Sequence, residues 1–113
     1  MKTILTGKAK QQIRQTAKYI LKQFGKRHKD KFLREVRHVR ILIADNPSMG
    51  SIEPLLAERV TIYRSLVVNK LNKMIYYIDK DTIFIVDLWD TCREPIAQAN
   101  QVKDYNGSID STD

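Results

Sequence analysis

The hydrophobic pattern of this chain changes period once, and that change limits the fold more than any other feature. Between Ala9 and Ile43 the apolar residues recur every three or four positions, as on one face of a helix. Beyond Val60 they recur at every second position and are rich in Ile, Val, Tyr and Phe, as strands are. Ala9, Ile13, Ala17, Ile20, Leu21 and Phe24 form the first helical stripe, and Gly25 is its expected stop. Phe32, Val36, Val39 and Ile43 form a second stripe, on a helix expected from about Lys29 to Asn46-Pro47, because a residue before proline is pushed out of the α region. A link this short folds the two helices back on each other as an antiparallel hairpin.

The segment "NPSMGSIEP", residues 46–54, reads as a loop, with one further helical turn over 55–58. Three strands follow at 60–68, 73–78 and 82–89. The turns at 69–72 and 79–81 are too short for anything but antiparallel neighbours. "KTIL" and Thr6 ahead of the first helix read as one more strand. The order is strand, helical hairpin, three-stranded antiparallel meander: an α+β fold in two layers. Residues 1–95 are expected to form one domain, and the polar, aperiodic stretch 96–113 a mobile tail.

Composition narrows the function. The 113 residues suffice for one modest core, and 42% hydrophobic with 29% charged residues is ordinary for a soluble domain. No apolar run is long enough to span a bilayer, and "MKTILTGKAKQQ" lacks the apolar run of a secretory leader. The lone cysteine, Cys92, rules out an internal disulfide and suits a reducing cytoplasm. His28 and His38 stand ten residues apart with no companion ligands, so no metal is expected. No glycine-rich phosphate loop or nucleotide fingerprint occurs, so no cofactor or small-molecule substrate is expected either.

The net charge of +7 is unevenly spread. Residues 1–44 hold 13 Lys/Arg against Asp30 and Glu35 alone, whereas residues 45–113 hold 7 against 11 acids. A basic half of this kind points to an anionic partner, such as nucleic acid, a ribosome or an acidic protein segment. Solvation of two exposed helix faces is the plainer alternative.

Within the meander, "YRSLVVNKLNKMIYYIDKDTIFIVDLWDTCREP" carries cations at strand starts, turns and ends: Arg64, Lys70, Lys73 and Arg93. Four cations on one sheet edge can stabilise a crowded phosphate, and one of lowered pKa can move a proton. Lys70 and Lys73 equally fit solvated hairpin residues. Arg64 shares a strand phase with Ile62, Leu66 and Val68, so an inward placement demands a partner, with Asp87 or Asp90 as candidates. On the last strand Phe84, Val86 and Leu88 share one phase, and Ile83, Ile85, Asp87 and Trp89 the other. Two helices cover one face of a small sheet, so the second is expected to stay apolar and open unless the chain's own ends cover it. Tyr77, Ile83, Ile85 and Trp89, with Arg64 and Arg93, are then the candidate partner-binding residues.

This order of elements, with Arg64 opening a strand, "KMIYYI" and an acidic turn after it, and Arg93 shortly after the last strand, resembles the RelE/ParE superfamily of toxins. These belong to bacterial type II toxin–antitoxin (plasmid stabilisation) systems. The resemblance spans roughly residues 1–95. It implies a small, basic, cytoplasmic toxin held inactive by a cognate antitoxin that lies across it. RelE-like members cut mRNA on the ribosome without a metal; ParE-like members inhibit DNA gyrase. The sequence is closer to ParE, although Trp89-Asp90-Thr91-Cys92-Arg93 stands where that branch often has His-Gly-x-Arg. If RelE-like, Arg64, Lys70, Lys73 and Arg93 are the candidate catalytic cations, with no firm acid/base seat because Tyr105 lies in the tail. A non-toxic nucleic-acid-binding module is the further alternative.

Overall fold

The computed structural model describes residues 1–91 and 95–102, with side chains throughout except those of residues 95–97. The chain runs β1 (Lys2–Leu5), α1 (Gly7–Phe24), α2 (Lys26–Asp45), β2 (Ser51–Ile52), a 3-10 turn (Pro54–Leu56), β3 (Arg64–Asn69), β4 (Asn72–Asp79), β5 (Thr82–Asp90) and α3 (Pro95–Asn100). The fold is α+β, as the change of period requires. Thr6 caps α1, its hydroxyl accepting from the Ala9 N–H. Gly25 ends α1 and begins α2 at φ 95°, a conformation only glycine adopts without strain, so the hairpin turns on a single residue.

Among the described residues the sheet has five strands, in the order β1-β5-β4-β3-β2. β1 lies parallel to β5, and every other pairing is antiparallel. The helical hairpin is the crossover from β1 back to the sheet. Its apolar stripe, with Phe32, Val36, Val39 and Ile43 of α2, packs on Met74, Tyr76, Ile83, Ile85 and Leu88. Fully burying each such side chain contributes about 1.5–3 kcal/mol.

Ile83 and Ile85 share this core with Leu88, which strict alternation puts on the opposite face. The cause is a β-bulge. Tyr76 pairs with Ile85 and the adjacent Ile75 with Asp87, which leaves Val86 as an extra residue in β5. Beyond it the phase reverses: Leu88 turns to the helices, and Trp89 joins Phe84 and Val86 on the other face.

That other face is covered by the chain itself. Leu56 from the 3-10 turn, Tyr63 ahead of β3, and Ala99 and Val102 at and beyond the end of α3 close over Ile75, Val86 and Trp89. The open second face expected from the sequence is therefore corrected, as is the tail for residues 95–102. The cover is fastened by polar contacts. Arg59 donates to the carbonyls of Ala99 (2.9 Å) and Val102 (2.8 Å), capping α3, and the Gln98 amide exchanges two hydrogen bonds with the Asp90 backbone. Lys8 of α1 reaches Gln101 at 3.2 Å.

Asp87 sits at the bulge, only 3% exposed. It accepts from the Leu88 N–H (2.9 Å) and the Trp89 indole (3.2 Å), with the Lys8 ammonium 3.6 Å away. Burial pushes its carboxyl above the usual range, and Lys8 opposes the shift. The folded chain therefore holds this proton to a higher pH than the unfolded chain does. The resulting stability is complete below the unfolded carboxyl range, about pH 4, and is lost as pH rises through the folded value. Urea unfolding across that range should show the wild type losing stability relative to Asp87→Asn as pH rises. A pH-independent difference contradicts this account of the bulge.

Candidate functional site

β3 and β4 pair in register from Arg64↔Tyr76 to Val67↔Lys73, so Arg64 shares a face with Tyr76 while Lys73 lies on the opposite one. The two cations cannot meet on one surface, and each is already engaged.

Arg64, half-buried, donates to the carbonyls of Gly50 (2.7 Å) and Ser48 (3.5 Å). Neither Asp87 nor Asp90, the partners suggested by the sequence, is its counter-charge. The same loop is gripped by Tyr76, whose hydroxyl donates to the Pro47 carbonyl (2.8 Å) and accepts from the Gly50 N–H (2.9 Å). Burial raises the Tyr76 phenol above its ordinary value. A Cβ on Gly50 would stand 2.7 Å from both the Ser65 carbonyl and the Tyr76 hydroxyl, so only glycine fits. Arg64 is thus a clamp on the loop leading to β2.

Lys73 ion-pairs at 2.5 Å with Glu53, a carboxylate only 1% exposed, and its ammonium lies 5.1 Å from the Trp89 ring centroid. Glu53 also caps the 3-10 turn by accepting from the Leu55 N–H. The ammonium thus compensates a buried anion and rests on an aromatic face, which holds the turn against the sheet. Lys70 is exposed in the β3–β4 turn, where its carbonyl accepts from the Thr91 hydroxyl. Arg93, with Cys92 and Tyr105, lies outside the described residues.

The apolar candidates are corrected too. Ile83 and Ile85 are wholly buried under the helices and Trp89 is 2% exposed beneath α3, so none of the three presents a surface. Tyr77 is half-buried, stacked on Phe84 and edge-on to Tyr63, and burial raises its phenol. Exposed apolar surface gathers instead along the chain from β2 to β3. Ile52, Leu55, Val60, Ile62 and Val67 are 42–72% exposed. β2 pairs only with Arg64 and Ser65, so among the described residues no strand lies on the outer edge of β3 beyond Ser65. A short edge next to exposed aliphatic side chains is a surface a second chain can extend.

Sequence reasoning missed Glu53, Arg59, Lys8 and β2. Glu53 had a signal, an acid directly before proline at a helical turn, which is a capping position. Among the described residues no three His, Cys, Asp or Glu converge as metal ligands, and no helix is long and apolar enough to cross a membrane.

The family model described as the ParE toxin of the type II toxin–antitoxin system parDE matches residues 3–95. Among solved structures, the chromosomal ParDE TA system from P. aeruginosa superposes with a TM-score of 0.66 at 14% identity, over 80% of this chain and 95% of that one. The YoeB dimer from Staphylococcus aureus gives 0.53 at 18% identity, over 77% and 92%. No curated protein matches.

If Lys73 compensates Glu53, its removal strands a buried carboxylate. Lys73→Ala should lower the unfolding free energy by about 2 kcal/mol, below the full loss for a completely buried pair because Lys73 keeps a quarter of its side chain in water. Glu53→Gln together with Lys73→Met should recover much of it. Unchanged urea midpoints in Lys73→Ala would remove the pair from any structural role.

Proposed function

The chain belongs to the ParE toxin family of type II toxin–antitoxin systems, whose toxins act alongside a cognate antitoxin, and from that premise we propose that it arrests growth by binding and blocking DNA gyrase in the cytoplasm. The observation that carries this reading is the separation of Arg64 from Lys73. Arg64 and Lys73 face opposite sides, one held by loop carbonyls and the other by a buried carboxylate. Metal-independent RNA cleavage needs several cations converging on one phosphate. Blocking a large enzyme needs only a rigid surface with apolar anchors and charge.

The antitoxin, on the same reading, takes the β3 edge. It adds backbone hydrogen bonds beyond Ser65 and buries Ile52, Ile62 and Val67, in place of the central sheet residues Ile83, Ile85 and Trp89.

The purified chain, incubated with supercoiling-competent gyrase and separately with translating ribosomes, separates the alternatives. Loss of supercoiling with mRNA intact is expected, with restoration on adding the antitoxin encoded beside it. Cut mRNA with supercoiling unimpaired overturns the gyrase reading in favour of a RelE-like ribonuclease.

A further inference from the structure

Arg64 and Lys73 in the sheet are engaged, and so is Lys8 in the first turn of α1, but the cations further along that helix are not. Lys10, Arg14, Lys18 and Lys22 stand at four-residue intervals along α1, all four exposed. At a rise of about 1.5 Å per residue they form a stripe of roughly 18 Å on the outer side of the hairpin. Among the described residues none of the four has an ion pair or a side-chain hydrogen bond. α1 contains no acidic residue to relieve them. Like charges four residues apart repel along a helix, so this spacing weakens α1 rather than stabilising it. Exposed Gln11, Gln15 and Gln23 border the stripe, adding amide donors and no negative charge.

From this stripe we propose that α1 is a docking surface for the phosphodiester backbone of duplex DNA, bound without sequence readout. The fit is one of charge and length. Each strand of a duplex presents a phosphate about every 3.4 Å along its axis, so a straight helix with four cations can neutralise several phosphates at once. Lysine, arginine and glutamine side chains are the donors that phosphate contacts use, and they position a protein without reading bases. A protein partner fits less well. Its interface needs apolar anchors at its centre, yet between Lys10 and Lys18 the exposed positions are all polar or charged; Tyr19, Leu21 and Phe24 lie at the far end of the helix. The proposal stands apart from the choice of toxin target, because it concerns a surface remote from β3 and is read by binding alone.

The test uses the full chain and a fluorescent duplex DNA of about 20 base pairs and arbitrary sequence, with a single-stranded RNA of equal length in parallel. A variant carrying Lys10→Gln, Arg14→Gln, Lys18→Gln and Lys22→Gln is compared with one losing the same charge elsewhere, through Lys2→Gln, Lys31→Gln, Arg37→Gln and Lys80→Gln. Glutamine keeps good helix propensity at exposed sites, circular dichroism and thermal melting check both folds, and single Arg14→Gln serves if the fourfold variant does not fold. The stripe variant should lose tenfold or more in affinity, and its salt slope should shallow by about 3 to 4, while the charge control should lose less than about threefold. Tighter binding of the duplex than of the RNA is expected, and tighter binding of the RNA would overturn the duplex as the occupant. Equal losses in the two variants, wild-type affinity in the stripe variant, or loss of a polyglutamate probe with DNA binding intact would each overturn the proposal.

Discussion

One extra residue in β5 decides how both sides of this sheet are built. β4 alternates without interruption, sending Met74 and Tyr76 to the helices and Ile75 and Tyr77 the other way. β5 follows that alternation only because the bulge at Val86 resets its phase. A strand shifted by one residue turns its whole apolar set to the wrong face. Without the bulge, Leu88 would leave the helical core and Trp89 would enter it. Asp87 sits at the reset point, where a buried carboxylate has the Leu88 amide, the Trp89 indole and the Lys8 ammonium around it. Thr6 approaches the same place from β1, its N–H donating to the Ile85 carbonyl at 3.0 Å and its hydroxyl to that of Val86 at 3.4 Å. The entry to α1 and the kink in β5 are thereby fixed to one another.

Much of this architecture could be read from residue spacing. The stripes from Ala9 to Phe24 and from Phe32 to Ile43 fall on α1 and α2, and Gly25 and Asn46 end them as expected, although α2 begins three residues earlier than Lys29. β4 and β5 lie within a residue or so of their expected ends. The failures have physical causes. A bulge leaves no mark on period-two counting, which places Trp89 with Ile85. β3 starts at Arg64 and not at Val60: residues 60–63 lie outside the sheet, with Tyr63 buried in the cover and Val60 and Ile62 left exposed. β2 has two residues and therefore no period. α3 is a single short turn and a half, signalled only by Pro95 at its first position and by Ala99 and Val102 three residues apart.

The site candidates stand out in the sequence as cationic or apolar, and the structure sorts them by what they touch. Arg64 and Lys73 hold a loop and a buried acid in place. Arg59, which drew no notice in the sequence, fastens α3. Charge in this small domain thus does much of the joining that a larger core would do, since irregular segments such as 46–63 offer many backbone groups and few apolar side chains. Among the described residues, the basic outer face of the helices and the aliphatic rim beside β3 remain open to partners. For a chain of the ParE toxin family, the basic helical half stays where the sequence puts it, and the apolar surface moves from the centre of the sheet to the rim beside β3.

The most direct test of the two-sided sheet is the environment of Trp89, the only tryptophan. Nuclear Overhauser contacts from its indole protons, in methyl-labelled protein without any partner, report which core it occupies. Contacts to methyl groups of Leu56, Ile75, Val86, Ala99 or Val102 are predicted. Contacts to Val36, Val39 or Ile85 of the helical core, or an indole with no methyl neighbours at all, would contradict both the bulge and the cover.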